Sequence, residues 1–137
     1  MPRTVCSATR VTRSTLASTL ADQGKFDEAV QAARAAVTET RQRADTGAGL
    51  GFSLTVLGGF LADQENFAEA DAALGEADTI LRKLLQPSHL WLGDNLRNQA
   101  ISLYRQAKFD EAQKRVSEAG RYISKASEPT MITIQPF

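Results

Sequence analysis

The chain has one histidine, His89, and one cysteine, Cys6. Ser88, His89 and Asp94 contain the hydroxyl, imidazole and carboxylate of a hydrolytic relay, but nothing in their spacing identifies a nucleophile–base pair. His89 therefore reads as a loop residue at the start of a helix. A single cysteine and a single histidine exclude a zinc cluster of the usual nitrogen–sulfur type and any internal disulfide. Gly47-Ala48-Gly49-Leu50-Gly51 is glycine-rich, yet it lacks the following lysine and hydroxyl residue, and the preceding strand, of a phosphate-binding loop. It reads as a flexible connection. No catalytic, metal-binding or cofactor-binding set is identified, so the sequence points away from an enzyme. What remains is Arg97, Ile101 and Arg105, which share one stripe of a helix at i, i+4 and i+8, with Asn98 beside them. Two guanidiniums next to one amide suit a carboxylate-bearing segment. A solvated helix face accounts for the same residues.

The elements that carry this stripe come from an internal repeat. Leu20-Ala21-Asp22-Gln23-Gly24-Lys25-Phe26-Asp27-Glu28-Ala29 recurs as Leu61-Ala62-Asp63-Gln64-Glu65-Asn66-Phe67-Ala68-Glu69-Ala70. It recurs again as Leu103-Tyr104-Arg105-Gln106-Ala107-Lys108-Phe109-Asp110-Glu111-Ala112. The aromatic stands at 26, 67 and 109, spacings of 41 and 42, a period that signals stacked helical hairpins. Leu16 and Leu20, and Leu57 and Leu61, fall on helical spacing before the turn. Gly24 supplies a positive φ, and acidic residues follow where a helix N-terminus favours them. The second helices are predicted over roughly 26–43, 67–85 and 109–125. Small residues (Ala29 and Ala36, Ala70 and Ala77, Ala112 and Ala119) face the partner helix, and each phenylalanine wedges between the pair.

The predicted architecture is all-α: three antiparallel helix-turn-helix units stacked as a right-handed solenoid. Residues 1–126 form the repeat domain, with units of about 7–45, 48–86 and 89–126, and 127–137 form a non-helical tail, because Pro129 interrupts the pattern. The tail is expected to fold back over the apolar flank of the last unit; the alternative is that this flank pairs with another copy or with parts of a longer chain. The 137 residues carry sixteen basic and sixteen acidic side chains, so bulk charge points to neither nucleic acid nor membrane. A mildly acidic centre lies between mildly basic ends. The first 21 residues hold Arg3, Arg10 and Arg13 and no acid before Asp22, as transit peptides do, but the same stretch completes the first repeat. A cytoplasmic location is expected.

These residues resemble the tetratricopeptide repeat. The Leu-small pair is Leu16-Ala17 and Leu57-Gly58, with Gln99-Ala100 departing from it; the turn aromatics are Phe26, Phe67 and Phe109. The long period, with Pro87 and His89 in the last linker, is similar to the extended subclass found in kinesin light chains, although Leu90 and Leu92 replace the usual linker residues. The resemblance covers about residues 7–126. It implies an adaptor that binds a peptide or helix of a protein partner in a groove lined by the first helix of each unit. Carried over, the groove positions are Ser14, Thr15, Ser18 and Asp22; Phe52, Thr55, Gly59 and Asp63; and Asp94, Arg97, Asn98, Ile101 and Arg105. Asn98 takes the place whose amide can satisfy an extended peptide backbone. The alternative is a structural or homodimerising segment of a larger kinase, cyclase or transcription regulator.

Overall fold

The computed structural model describes residues 15–43, 47–84 and 90–134, with side chains through residue 121. Ser14, Cys6, Pro87 and His89 lie outside the described residues. Helix α1 covers 15–22. It is followed by α2 (Phe26–Gln42), α3 (Ala48–Asp63), α4 (Phe67–Leu84), α5 (Leu90–Arg105) and α6 (Phe109–Ile134). No strand occurs among the described residues. The predicted all-α, three-hairpin arrangement is the observed one. Helix α3 packs against α2, α4 and α5, and α5 also packs against α4 and α6. From 48 to 62, α3 carries no charged residue, as suits a helix covered on several sides.

One turn geometry recurs three times. Gly24, Glu65 and Ala107 all have positive φ, at 79°, 63° and 63°. In each turn that residue's N–H donates three residues back: Gly24 to the Ala21 carbonyl (2.9 Å), Glu65 to Ala62 (3.0 Å) and Ala107 to Tyr104 (3.0 Å). The next N–H donates five residues back: Lys25 to Leu20 (2.8 Å), Asn66 to Leu61 (2.9 Å) and Lys108 to Leu103 (2.9 Å). These two bonds define a Schellman end, which satisfies carbonyls that the helix leaves unpaired. The same Lys25, Asn66 and Lys108 carbonyls then accept from the N–H groups of Ala29, Ala70 and Ala112, each at 3.0 Å, and so open the second helix.

Small residues line the contact between paired helices. Ala29, Ala36, Ala70, Ala77, Ala112 and Ala119 are all buried, as predicted. Two glycines of α3 complete this contact. A Cβ on Gly58 would lie 2.5 Å from Leu74 Cγ, and one on Gly51 would lie 2.8 Å from Leu81 Cδ2. The glycine-rich stretch is thus the start of α3, packed tightly on α4, and not a flexible connection. The phenylalanines begin their helices as predicted, but Phe26 and Phe109 are half exposed, so neither is a buried wedge. Phe109 instead meets the Tyr104 ring edge-on, with centroids 5.2 Å apart.

The expected irregular tail is also corrected. Helix α6 continues through Ile134, so residues 127–134 extend it. Proline's fixed φ is itself compatible with helix; its penalty is a lost N–H bond and crowding of the previous turn, about 3 kcal/mol, which does not compel a stop.

Units are joined by a ladder of ion pairs on the second helices. Arg34 pairs with Glu69, its Nη2 donating to Oε2 at 2.9 Å. Arg41 holds Glu76 with two bonds of 2.9 and 2.7 Å, and Arg82 Nη2 donates to Glu118 at 2.7 Å. Arg41–Glu76 and Arg82–Glu118 are the same rung one repeat apart. The hydrogen bonds from Arg34 hold the Glu69 carboxyl below its ordinary pKa. Such exposed rungs contribute little each, about 0–1 kcal/mol.

A matched pair of substitutions separates packing from backbone effects. Gly58→Ala must displace the fully buried Leu74 and is expected to destabilise the protein by about 1–3 kcal/mol. Gly75→Ala, in exposed α4 with nothing within 4 Å of the new Cβ, is expected to stabilise it by about 0.5–1 kcal/mol. Urea unfolding monitored by circular dichroism measures both.

Candidate functional site

The first helices of the three hairpins meet around an open depression of about 320 Å³. Helix α1 contributes Ser18, α3 contributes Val56, Gly59, Phe60, Ala62 and Asp63, and α5 contributes Arg97, Asn98 and Ile101. These helices can converge because the Schellman turns direct each second helix back along its partner. The turns leave the first helices adjacent from one unit to the next.

Gly59 faces Asn98 across the depression. Asn98 Nδ2 lies 3.2 Å from where a Cβ on Gly59 would stand, and it reaches the Thr55 carbonyl at 3.4 Å. A side chain at 59 would crowd the amide. The cations nearby are paired within the chain. Arg97 lies 3.5 Å from Asp94, and Arg105 lies 3.6 Å from Asp63. Arg105 also donates to the Ala62 and Asp63 carbonyls, both at 3.4 Å, and so ties down the C-terminal end of α3. The depression therefore has an apolar floor of Val56, Phe60 and Ile101, an amide on its wall and balanced charge at its rim.

Several predicted positions lie elsewhere. Thr55 is corrected: only 5% exposed, it hydrogen bonds to the Gly51 carbonyl at 2.9 Å and faces the interior. Phe52 is half buried and stacks on Trp91, centroids 4.9 Å apart. Thr15 and Asp22 are exposed on α1 but do not line the depression, nor does Asp94 beyond its pairing with Arg97. Ser18, Gly59, Asp63, Arg97, Asn98 and Ile101 are brought together. Val56, the repeat counterpart of Asn98, and Phe60 were not singled out in the sequence. Aligning the second unit on the third at Asn98 would have found Val56.

A polar network behind the depression was also missed. Asn95, fully buried, donates through Nδ2 to Thr55 Oγ1 (2.9 Å) and to the Leu74 carbonyl (3.2 Å), while its Oδ1 accepts from Gln99 Nε2 at 2.5 Å. Farther along α5 and in the turn after it, Ser102 Oγ donates to Asp71 Oδ1 at 2.7 Å and Gln106 Nε2 to Asp71 Oδ2 at 2.9 Å. Gln99, which departs from the Leu-small pattern, belongs to this network. The signal in the sequence is a polar stripe at 95, 99, 102 and 106, where the second unit has Ser53, Leu57, Phe60 and Gln64.

A family model for the tetratricopeptide repeat matches residues 9–43 and 53–90, more than half of the chain. The chain belongs to the tetratricopeptide-repeat family. No curated protein matches its sequence. The third hairpin lies almost wholly beyond the matched stretches, yet it repeats the turn bonds of the other two tetratricopeptide units. Among the described residues, no group of three or more His, Cys, Asp or Glu is placed to hold a metal ion, and no helix is long and apolar enough to cross a membrane.

Asn95→Ala empties a fully buried site and removes the bonds to Thr55, the Leu74 carbonyl and Gln99 together, and is expected to destabilise the protein by about 2 kcal/mol or more. Asn98→Ala, at the partly exposed depression, is expected to cost under about 1 kcal/mol. Denaturant midpoints of the two variants provide the comparison.

Proposed function

We propose that the protein is an interaction module that seats a peptide or helix of a partner protein across α1, α3 and α5. The observation that carries this reading is the depression itself, where side chains of three successive first helices surround one opening. Tetratricopeptide repeats are in general protein-interaction modules, and the reading assigns no chemical step to the chain.

The side chains favour a particular ligand. Asp63 and Asp94 already neutralise Arg105 and Arg97, so the face offers no unmatched cation pair for an acidic tail. An apolar anchor entering between Val56, Phe60 and Ile101, with its backbone or amide within reach of Asn98, uses what the depression presents. Burying one aliphatic side chain there would contribute about 1.5–3 kcal/mol.

Partner capture, followed by titration of the purified partner, tests the proposal. Gly59→Lys, which fills the opening, is expected to abolish binding. Asn98→Ala is expected to weaken it about fivefold, the equivalent of one hydrogen bond of about 1 kcal/mol. Val116→Glu, outside the depression, is expected to bind as wild type. A partner whose affinity ignores Gly59→Lys does not occupy this face, and the proposal fails.

A further inference from the structure

The last hairpin exposes an apolar face whose equivalent in the second hairpin is covered. Between α5 and α6 lies a depression of about 440 Å³ to which Ile101, Tyr104, Phe109 and Val116 contribute. Tyr104 is 65% exposed and Val116 58%. Their counterparts one repeat earlier are Ala62, 1% exposed, and Leu74, 0%, with α5 lying over Leu74 through the Asn95 bond to its carbonyl. The first hairpin has the converse feature. Leu57 of α3 is 6% exposed in a cluster with Val30, Ala33 and Val37 of α2; its counterpart Leu16 on α1 is 49% exposed. One end of the stack presents the apolar cleft that a first helix covers. The other presents the leucine with which a first helix covers it.

Polar groups at the two ends match as well. Inside the chain, the turn glutamine reaches back to an acid on the preceding second helix: Gln64 to Asp27 at 2.8 Å, and Gln106 to Asp71 at 2.9 Å. At the ends, Gln23 on the first hairpin and Asp110 on α6, the counterpart of Asp27, are both exposed. The residue closing each first helix runs Asp22, Asp63, Arg105. Within the chain, Arg105 meets Asp63. If a second copy continued the stack, its Asp22 would face Arg105, again with opposite sign. The rung formed by Arg41–Glu76 and Arg82–Glu118 would next bring together serine at 124 and alanine at 35, so no charge is left unmatched on it.

We propose that the α5–α6 face docks the α1 end of a second copy of this chain, so that copies stack head to tail in the register already used between units. Such a contact joins two different surfaces and does not close on itself, so the product is an open, concentration-dependent series.

Sedimentation velocity over a concentration series tests this with Leu16→Glu and Val116→Glu. Wild type is expected to grow with concentration beyond a dimer. Each variant alone is expected to lose self-association at least about tenfold. An equimolar mixture is expected to form a dimer and stop there, because each variant retains the surface that the other has lost. Matching circular dichroism spectra establish that both variants fold, and Tyr104→Gln on the same face provides a second reading of the α5–α6 end. A wild type that stays monomeric overturns the proposal. So does a mixture that stays monomeric, or loss of association with Val116→Glu but not Leu16→Glu, which would indicate a two-fold dimer through the α5–α6 face alone.

Discussion

Left-handed backbone at 24, 65 and 107 stops one helix, and the residue that follows it opens the next. The reversal is short, so the paired helices must run close together. Close approach in turn admits only small residues at the contact, which is why alanines recur there and why α3 uses Gly51 and Gly58 beneath Leu81 and Leu74. Only Gly24 adopts the conformation without steric penalty. Glu65 and Ala107 each carry a cost of about 1–2 kcal/mol, offset by the two hydrogen bonds and the packing that the turn permits.

The two junctions between units are built from different chemistry on the same geometry. Between the first and second hairpins the buried contact is apolar, with Leu57 set among Val30, Ala33 and Val37, and the polar bonds lie on the exposed surface. Between the second and third it is a hydrogen-bonded network centred on Asn95, flanked by a separate apolar cluster of Leu81, Leu92, Leu96 and Ala119. A buried network is directional: Asn95 has to meet Thr55, Leu74 and Gln99 together, which fixes how α5 lies on α3 and α4. That placement brings Asn98 against Gly59 and shapes the depression. Thr55 supports the candidate site from behind and does not line it.

The hairpins were legible in the sequence because a period of 41 or 42 residues carried the same leucine, glutamine, aromatic and alanine each time. Helix starts at Phe26, Phe67 and Phe109 followed from that alignment. Less legible were features that depend on which face a residue turns towards. Thr55 and Asn98 lie on neighbouring first helices, yet one is buried and the other partly exposed, and one-dimensional spacing does not separate them. Arg97 pairs with Asp94 one turn away on the same helix, whereas the pairing of Arg105 with Asp63 depends on side-chain reach between helices, so a stripe that reads as cationic in sequence is neutral in space. Pro129 suggested an end to α6 because proline disfavours helix interiors; the longer helix shows that disfavour is not exclusion.

Three equivalent turns, only one of them with glycine at the reversing position, are the foundation of this architecture. Isotope-labelled NMR tests them directly through the HN–Hα couplings and the Cα and Cβ shifts at residues 24, 65 and 107. Positive φ at all three is expected, with Glu65 and Ala107 as firmly left-handed as Gly24. Right-handed or averaged backbone at Glu65 or Ala107 would contradict a shared turn, and with it the repeated hairpin on which the packing and the depression rest.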